Sequence, residues 1–327
     1  MRHEAGIDRL IQLLTRDYDP RLSYWFWDPR ARRLSLRPGR AAIAARRLLG
    51  EGNPAIRLLE REVTHAVTAS WTALRAAPSH RAEQVSQLRL GQSFRVWDRD
   101  DAGDWCLGAG RDGYPGWVRS WHLHPSEPPL PDFVVCRRFG RALAAPGLQA
   151  ELLRHLSFAT LIEARGPERA GFLPWLLPDG REAWTPIEDL EPWTPMSPDA
   201  RRKIVAWIPR LLGIPYEWGG ASAAGFDCSG LVQALFLAAG WILPRDADLQ
   251  AQAGRGRSLE DRSSWGAGDL LFFGREKIDH VALLMEGRRI LHASGEVKME
   301  TLSAREASAT HPLLRVTDPL IAIEDAK

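Results

Sequence analysis

Tyr216-Glu-Trp-Gly-Gly-Ala-Ser-Ala-Ala-Gly-Phe-Asp-Cys-Ser-Gly230 runs from a glycine-rich loop into Asp227-Cys228-Ser229-Gly230, then into Leu231-Val-Gln-Ala-Leu-Phe-Leu-Ala-Ala239. The last part is an apolar run of good helix formers stopped by Gly240, so it reads as a buried helix. A cysteine therefore stands at a helix start. Unpaired N–H groups and the positive end of the helix dipole favour a thiolate there, the form of cysteine that attacks carbonyls. A buried cysteine taken alone is more often a packing residue. Here Asp227 is placed to cap the helix, and Gly225 and Gly230 permit close backbone approach.

A thiolate nucleophile needs a base within hydrogen-bond reach and a third group to hold that base. Downstream of the helix, Gly268-Asp-Leu-Leu-Phe-Phe273, His280-Val-Ala-Leu-Leu-Met285 and Arg289-Ile-Leu-His-Ala-Ser294 read as consecutive strands. If the last two form a hairpin about Glu286, His280 and His292 stand directly opposed on one face with Cβ atoms ~5 Å apart. A register one residue away puts them on opposite faces. Cys228, His280 and His292 are thus a candidate nucleophile, base and orienting group. The same side chains can ligate zinc, but the close-spaced ligand pairs usual in zinc sites are lacking, so no metal or other cofactor is expected.

Working back along the chain, Ser197-Pro198-Asp199 opens a helix through Arg210. A helical layer ahead of an antiparallel sheet is an α+β arrangement, here over residues 199–318. The stretch before it has a different texture, with short strands between turn signals such as Asp101-Ala-Gly103, Asp112-Gly113 and Pro178-Asp-Gly180. It repeats. Val67, Trp71 and Ala76-Ala77-Pro78 return 68 residues later as Val135, Phe139 and Ala144-Ala145-Pro146, and Trp117 and Leu123 return 67 residues later as Trp184 and Leu190. A duplicated module of about 65 residues predicts two small β-barrels, over 63–124 and 132–191. Proline-rich joints, Pro125-Ser-Glu-Pro-Pro-Leu-Pro131 and Glu191-Pro-Trp-Thr-Pro-Met-Ser-Pro198, divide the parts. Residues 1–62 read as a helical segment, with Ile7, Leu10, Ile11 and Leu14 on one face of a first helix and a second helix from Arg40 to Leu49. Between them Tyr24-Trp-Phe-Trp27 reads as packing against the neighbouring module.

A chain of 327 residues is long enough for two or three domains. Its net charge of +2 gives no reason to expect nucleic acid or an anionic membrane as partner. Acidic residues stand near the N-terminus where a signal peptide has its apolar core, and no run approaches the ~18 apolar residues of a membrane span, so a cytoplasmic chain is expected. Three widely separated cysteines suit a reducing compartment. Cys106 and Cys136 sit in strand-like patterns and read as core residues.

Tyr216 to Gly230, Gly268-Asp269-Leu270, Asp279-His280-Val281-Ala282 and Leu291-His292-Ala293-Ser294 together resemble the NlpC-type papain-like cell-wall cysteine peptidases. Thr72-Ala-Leu-Arg75 and Asp112-Gly-Tyr-Pro-Gly-Trp-Val118 resemble bacterial SH3-like domains, of which the second copy is divergent. Two such modules ahead of the peptidase domain resemble the subgroup of γ-D-glutamyl-L-diamino acid endopeptidases. The resemblance implies a papain-like fold with Cys228 as nucleophile, His280 as base and later acid, and His292 orienting His280. It implies as substrate a murein peptide, L-Ala-γ-D-Glu-diamino acid with a free N-terminal L-Ala, and a role in peptidoglycan peptide recycling. Tyr216, Asp227, Ser229 and the Arg245-Asp246 pair match substrate-contacting positions, and Glu83 and Tyr114 are chosen by position as the acid and tyrosine that the first module lends to the cleft. Ala247 stands where serine is usual, so one substrate hydrogen bond is expected to be missing. The other classes these residues allow are a thiol acyltransferase of the same fold and a non-catalytic wall-binding protein. A helix-start thiol beside an imidazolium is expected to titrate below the usual value of about 8.5, with a bell-shaped dependence of activity on pH.

Overall fold

The computed structural model describes residues 2–28, 33–50, 53–127, 129–307 and 312–320. Residues 1–62, expected to be helical, are a mixed unit. Helices α1 (Arg2–Asp17), α2 (Pro20–Ser23) and α3 (Arg40–Leu49) accompany a three-stranded sheet of β1 (Trp25–Asp28), β2 (Arg33–Leu36) and β3 (Ile56–Leu58), with β1 antiparallel and β3 parallel to β2. The aromatic run shows why a strand wins over a helix here. Extended chain sends alternate side chains to opposite faces. Trp25 and Trp27 turn into the unit's own core with Leu10, Leu14, Leu34 and Leu36, whereas Tyr24 and Phe26 pack on Trp97 and Leu107 of the next unit. Both faces of the run are therefore used, and one of them fastens this segment to the neighbouring β unit.

That neighbour is a seven-stranded sheet built from β4 (Val63–Val67), β5 (Trp71–Arg75), β6 (Gln84–Arg89), β7 (Ser93–Arg99), β8 (Trp105–Ala109), β9 (Pro115–Arg119) and β10 (Leu123–Pro125), in the order β10-β4-β7-β8-β9-β5-β6. The third unit holds β11 (Phe133–Val135), β12 (Phe139–Leu143), β13 (Leu152–Ser157), β14 (Leu161–Ile162), β15 (Phe172–Leu176), β16 (Glu182–Pro186) and β17 (Leu190–Pro192), in two sheets ordered β14-β11-β17 and β13-β12-β16-β15. Taken strand for strand, these are the neighbours of the first order. Even single contacts recur: Arg75 faces Trp117 as Leu143 faces Trp184, and Leu123 faces Val67 as Leu190 faces Val135. The one ladder missing is β14 with β15, reduced to a bridge between Ala164 and Trp175. Arg165-Gly-Pro167 comes directly after that bridge, and a proline has no N–H to extend a ladder.

The last unit is α+β. It comprises α4 (Ala200–Trp207), the short strands β18 (Ala221–Ser222) and β19 (Gly225–Phe226), α5 (Cys228–Ala238), α6 (Ala247–Gln250), β20 (Arg255–Arg257), β21 (Leu270–Gly274), β22 (Ile278–Met285), β23 (Arg289–Ser294), β24 (Glu296–Thr301), α7 (Leu302–Ala307) and β25 (Leu313–Asp318). Six of these strands form one sheet, in the order β20-β25-β21-β22-β23-β24. Strand alternation divides the core in two. Leu270, Phe272, Val281, Leu283 and Leu291 face α4 and α5, and Leu271, Phe273, Ala282, Leu284 and Ile290 pack with Leu302 of α7. Every residue of α5 except Leu237 is buried, so this helix is enclosed by the sheet on one side and by the β units on the other. Val134, Cys136, Phe158 and Ala159 of the third unit belong to the same core as α5. Cys106 and Cys136 are buried, and burial pushes both thiols up.

The β units and the last unit meet along the loop Glu217–Ala223. Gln84 Nε2 donates to Glu217 Oε1 (2.9 Å) and to the Trp218 carbonyl (3.0 Å), and Gln87 Oε1 accepts from Ala221 N (3.1 Å) and Ser222 Oγ (2.7 Å). Arg89 reaches the Ala221 carbonyl, and Ser157 Oγ of the third unit accepts from Ala223 N at 2.9 Å. Gly219 sits at φ +72°, and a Cβ on it would lie 2.2 Å from the Gln84 carbonyl oxygen. Gly219→Ala is therefore expected to cost at least about 1–3 kcal/mol from the left-handed backbone alone, measured as a lower midpoint in urea unfolding. An unchanged midpoint would mean that the loop does not lie against β6.

Candidate active site

Helix α5 begins at Cys228 because Asp227, in an extended conformation, caps it: Asp227 Oδ1 accepts from Gly230 N at 2.7 Å. Gly230 has to be glycine, since a Cβ there would meet the Gly220 carbonyl oxygen at 2.0 Å. The other carboxylate oxygen, Oδ2, accepts from Gly219 N at 3.0 Å, which ties the glycine loop to the helix start. Arg245 then closes on the same carboxylate in a two-pronged pair, Nη1 to Oδ1 at 3.0 Å and Nη2 to Oδ2 at 2.6 Å. Its Nη1 also donates to Ser229 Oγ (2.9 Å), and its Nε donates to Ser86 Oγ of β6 (2.9 Å). The Arg245 side chain is 1% exposed; burial opposes its charge, and Asp227, with Asp246 and Tyr114 adding to it, outweighs that opposition.

Asp227 and Ser229, expected to contact substrate, are thus both held inside the protein, with Ser229 Oγ also 3.3 Å from Asp227 Oδ1. The part of Arg245 in this was not legible in the sequence, where it stood with Asp246 as a substrate-contacting pair. Breaking such a pair leaves a buried charge unmatched, at a cost of about 3–5 kcal/mol. We expect Arg245→Met to lower stability by that order and Arg245→Met with Asp227→Asn to recover much of the loss in thermal unfolding. A double variant no more stable than the single one would show that the pair is not the source.

The histidines come from the hairpin of β22 and β23. Leu283 pairs with Leu291 and Met285 with Arg289, so the turn is Glu286–Arg288 and not a tighter one about Glu286. The expected direct opposition of His280 and His292 is therefore corrected to a diagonal one, because Gly287 at φ +67° and Arg288 at φ +56° widen the turn. A shift of two positions keeps both rings on one face. His280 Nε2 and His292 Nδ1 are 2.9 Å apart, with the rings nearly perpendicular. His292 is buried, and burial, with Arg305 and Lys298 adding to it, lowers its pKa to about 4, so this ring is neutral at neutral pH.

Cys228 is 7% exposed and takes hydrogen bonds from the backbone of Val281, the residue after His280, and of Ser229. The thiol was expected to titrate low. Instead, burial and then the Asp227 carboxylate push it up to about 11, against the weaker pull of those hydrogen bonds and of Arg245. Tyr216 is its neighbour: burial first, then the charges of Cys228 and Asp227, raise the phenol to about 12. A raised thiol means that thiolate accumulates as pH climbs towards 11. The rate of Cys228 alkylation by iodoacetamide in the unliganded protein is expected to keep rising from pH 7 to above 9. A plateau reached near neutral pH would indicate a preformed thiolate–imidazolium pair.

Of the two residues assigned from the first β unit, Glu83 accepts from Trp218 Nε1 at 2.7 Å on the exposed rim of the loop. Tyr114 is partly buried, and its hydroxyl donates to Asp246 Oδ2 at 2.9 Å. Burial and the adjoining Asp246 carboxylate keep that phenol protonated. Sequence reasoning missed what else reaches Asp246. Arg21 of the N-terminal unit donates Nη1 to Asp246 Oδ2 (2.8 Å) and Nη2 to Asp248 Oδ2 (2.8 Å), while Asp19 holds its inner side. Three units of the chain converge on Asp246. Ala247 opens α6 directly behind it and is buried. Among the described residues, no cluster of His, Cys, Asp and Glu is arranged to hold a metal ion.

Residues 213–317 match the NlpC/P60 family and residues 74–123 match the bacterial dipeptidyl-peptidase Sh3 domain, so the chain carries an NlpC/P60 domain behind a bacterial SH3 domain. Gamma-D-glutamyl-L-lysine dipeptidyl-peptidase of Bacillus subtilis is 35% identical over 187 residues, 55% of this chain and 60% of that protein. The protein of the same name from Bacillus cereus is 26% identical over 231 residues, 64% of this chain and 66% of that one. The chain thus spans less than two thirds of the length of either relative. Peptidoglycan endopeptidase RipB of Mycobacterium tuberculosis is 34% identical over 121 residues, 33% of this chain and 49% of the relative. A solved NlpC/P60 family protein from Bacillus cereus overlays with a TM-score of 0.68 at 21% identity, over 79% of this chain and 99% of that one, a likeness of fold.

Proposed function

We propose that this protein is a cysteine endopeptidase that hydrolyses the bond between γ-D-glutamate and an L-diamino acid in short murein peptides bearing a free N-terminal L-alanine. One observation carries the reading: a cysteine capped at the start of an enclosed helix lies beside a strand whose histidine is hydrogen-bonded to a second, neutral histidine. The names borne by the relatives in Bacillus supply the substrate class.

The groups in place set the chemistry. His280 takes the thiol proton, and the sulfur attacks the γ-carbonyl of D-glutamate. The Cys228 N–H at the helix start stabilises the oxygen as it becomes negative. His280 then gives the proton to the leaving amine of the diamino acid, and a thioester remains on Cys228. Water, deprotonated by His280, attacks the thioester and releases L-Ala-γ-D-Glu with the thiol restored.

On this reading Asp246, Glu83 and Tyr216 bind the L-Ala-γ-D-Glu end of the substrate, and Tyr114, which donates to Asp246, orients that carboxylate. Asp227 and Ser229 serve mainly by holding Arg245, since their oxygens are already shared with it. Read as SH3-like barrels, the two β units bound the cleft so that short free peptides enter and long chains do not, which suits recycling of released peptides in the cytoplasm.

The test is hydrolysis of L-Ala-γ-D-Glu-L-Lys and its meso-diaminopimelate counterpart by wild type and Cys228→Ala, together with N-acetylated versions of both. Wild type is expected to cleave, Cys228→Ala to be inactive, and acetylation to lower kcat/KM on the order of tenfold or more by removing the ammonium that pairs with the Asp246 carboxylate. Equal turnover by Cys228→Ala removes the thiol from the mechanism. Equal turnover of acetylated and free peptides removes the free amine from the specificity.

A further inference from the structure

We propose that Glu300 is the positioning residue that fixes the tautomers of the His280–His292 pair, an inference that rests on the reading of Cys228 and His280 as nucleophile and base. His292 is 1% exposed, and its Nε2, otherwise without a hydrogen-bond partner, has Glu300 Oε1 at 3.3 Å. In the β23–β24 ladder, His292 faces Lys298 and Ile290 faces Glu300. Glu300 therefore stands diagonally across from the ring, on the same face of the sheet.

One proton lies in the 2.9 Å contact between the two rings. If it belongs to His292 Nδ1, neutral His280 accepts at Nε2 and carries its own proton on Nδ1, where it blocks transfer from the thiol. If it belongs to His280 Nε2, then His280 Nδ1 has a lone pair and can take the thiol proton, and neutral His292 carries its proton on Nε2. Only the second arrangement makes His280 a base. It requires an acceptor for a buried Nε2–H, because an unmade hydrogen bond there favours the wrong tautomer.

Glu300 is the acceptor in reach. Its side chain is 27% exposed, against 1% for His292. The other charged groups acting on His292, Arg305 of α7 and Lys298 of β24, are donors and cannot take that role. The carboxylate has a second effect when His280 becomes an imidazolium during acylation: it offsets the charge that the two cations near His292 oppose.

Glu300→Leu and Glu300→Gln in the full chain test this. Long-range ¹H–¹⁵N spectra of the histidine rings read the tautomers directly; both His280 and His292 are expected to be Nε2-protonated in wild type, with His292 moving towards Nδ1–H in Glu300→Leu. Alkylation of Cys228 by iodoacetamide near neutral pH, and kcat on L-Ala-γ-D-Glu-L-Lys, are expected to fall on the order of tenfold or more in Glu300→Leu with KM little changed. Glu300→Gln still offers an amide oxygen and is expected to retain most of both. Wild-type tautomers and alkylation in Glu300→Leu overturn the proposal, as does a Glu300→Gln protein with disturbed tautomers no better than Glu300→Leu. If wild type cleaves no murein peptide, spectra and alkylation still decide the role of Glu300, and only the peptidase reading fails.

Discussion

The buried pair of Arg245 with Asp227 is the contact on which the site depends. Two charges taken out of water lose their hydration, and mutual attraction offsets that loss only when geometry is good and the remaining hydrogen bonds are made. Here they are made in all directions. The carboxylate caps α5 through Gly230 N and holds the loop through Gly219 N, while the guanidinium spans Asp227, Ser229 and Ser86 of the first β unit. A planar fork with donors on three sides suits this junction, and a lysine could not replace it. The position of the Cys228 backbone is thus set by a network that includes a residue from another unit.

That dependence explains why the units form one body. The loop ahead of Cys228 has almost no secondary structure of its own beyond the two-residue pair β18–β19, and its backbone groups are taken up by Gln84, Gln87 and Arg89 from β6 and by Ser157 from the third unit. Buried backbone polar groups need partners, and here the neighbouring units supply them. The N-terminal unit is bound on the same side twice, through the aromatic face of Tyr24 and Phe26 on Trp97 and through Arg21 at Asp246 and Asp248. A guanidinium shared among Asp19, Asp246 and Asp248 limits how far those carboxylates can swing, so Asp246 and Asp248 are held from outside the NlpC/P60 domain.

What was legible in the sequence was local. A helix of good formers after Asp-Cys-Ser-Gly, strands with alternating faces, and a spacing of 68 residues between like motifs are properties of neighbouring residues or of a repeat, and pattern alone reveals them. The hairpin register was missed by two positions because it rests on whether Gly287 and Arg288 take left-handed conformations, a choice made by the folded turn. The strand at Trp25–Asp28 was missed because its two-faced burial needs both its own helices and Trp97, some seventy residues away. Arg21, Ser86, Gln87 and Glu300 carry no motif at all. Their meaning lies in which atom they face, and that is decided by tertiary packing.

The raised thiol puts the sequence argument about helix starts in proportion. A helix N-terminus favours a thiolate where the sulfur is partly exposed, but Cys228 is enclosed and its capping residue is an anion. Desolvation and Asp227 both oppose the thiolate, and together they outweigh the backbone donors. The same carboxylate that builds the helix start therefore keeps the resting sulfur protonated, which makes it a poor target for oxidants that attack thiolates. A thiol held protonated at rest attacks only after a base has taken its proton. Since His292 stays neutral in its buried place, the tautomer of the two rings, and not a charge on His292, sets which ring nitrogen carries the proton between them.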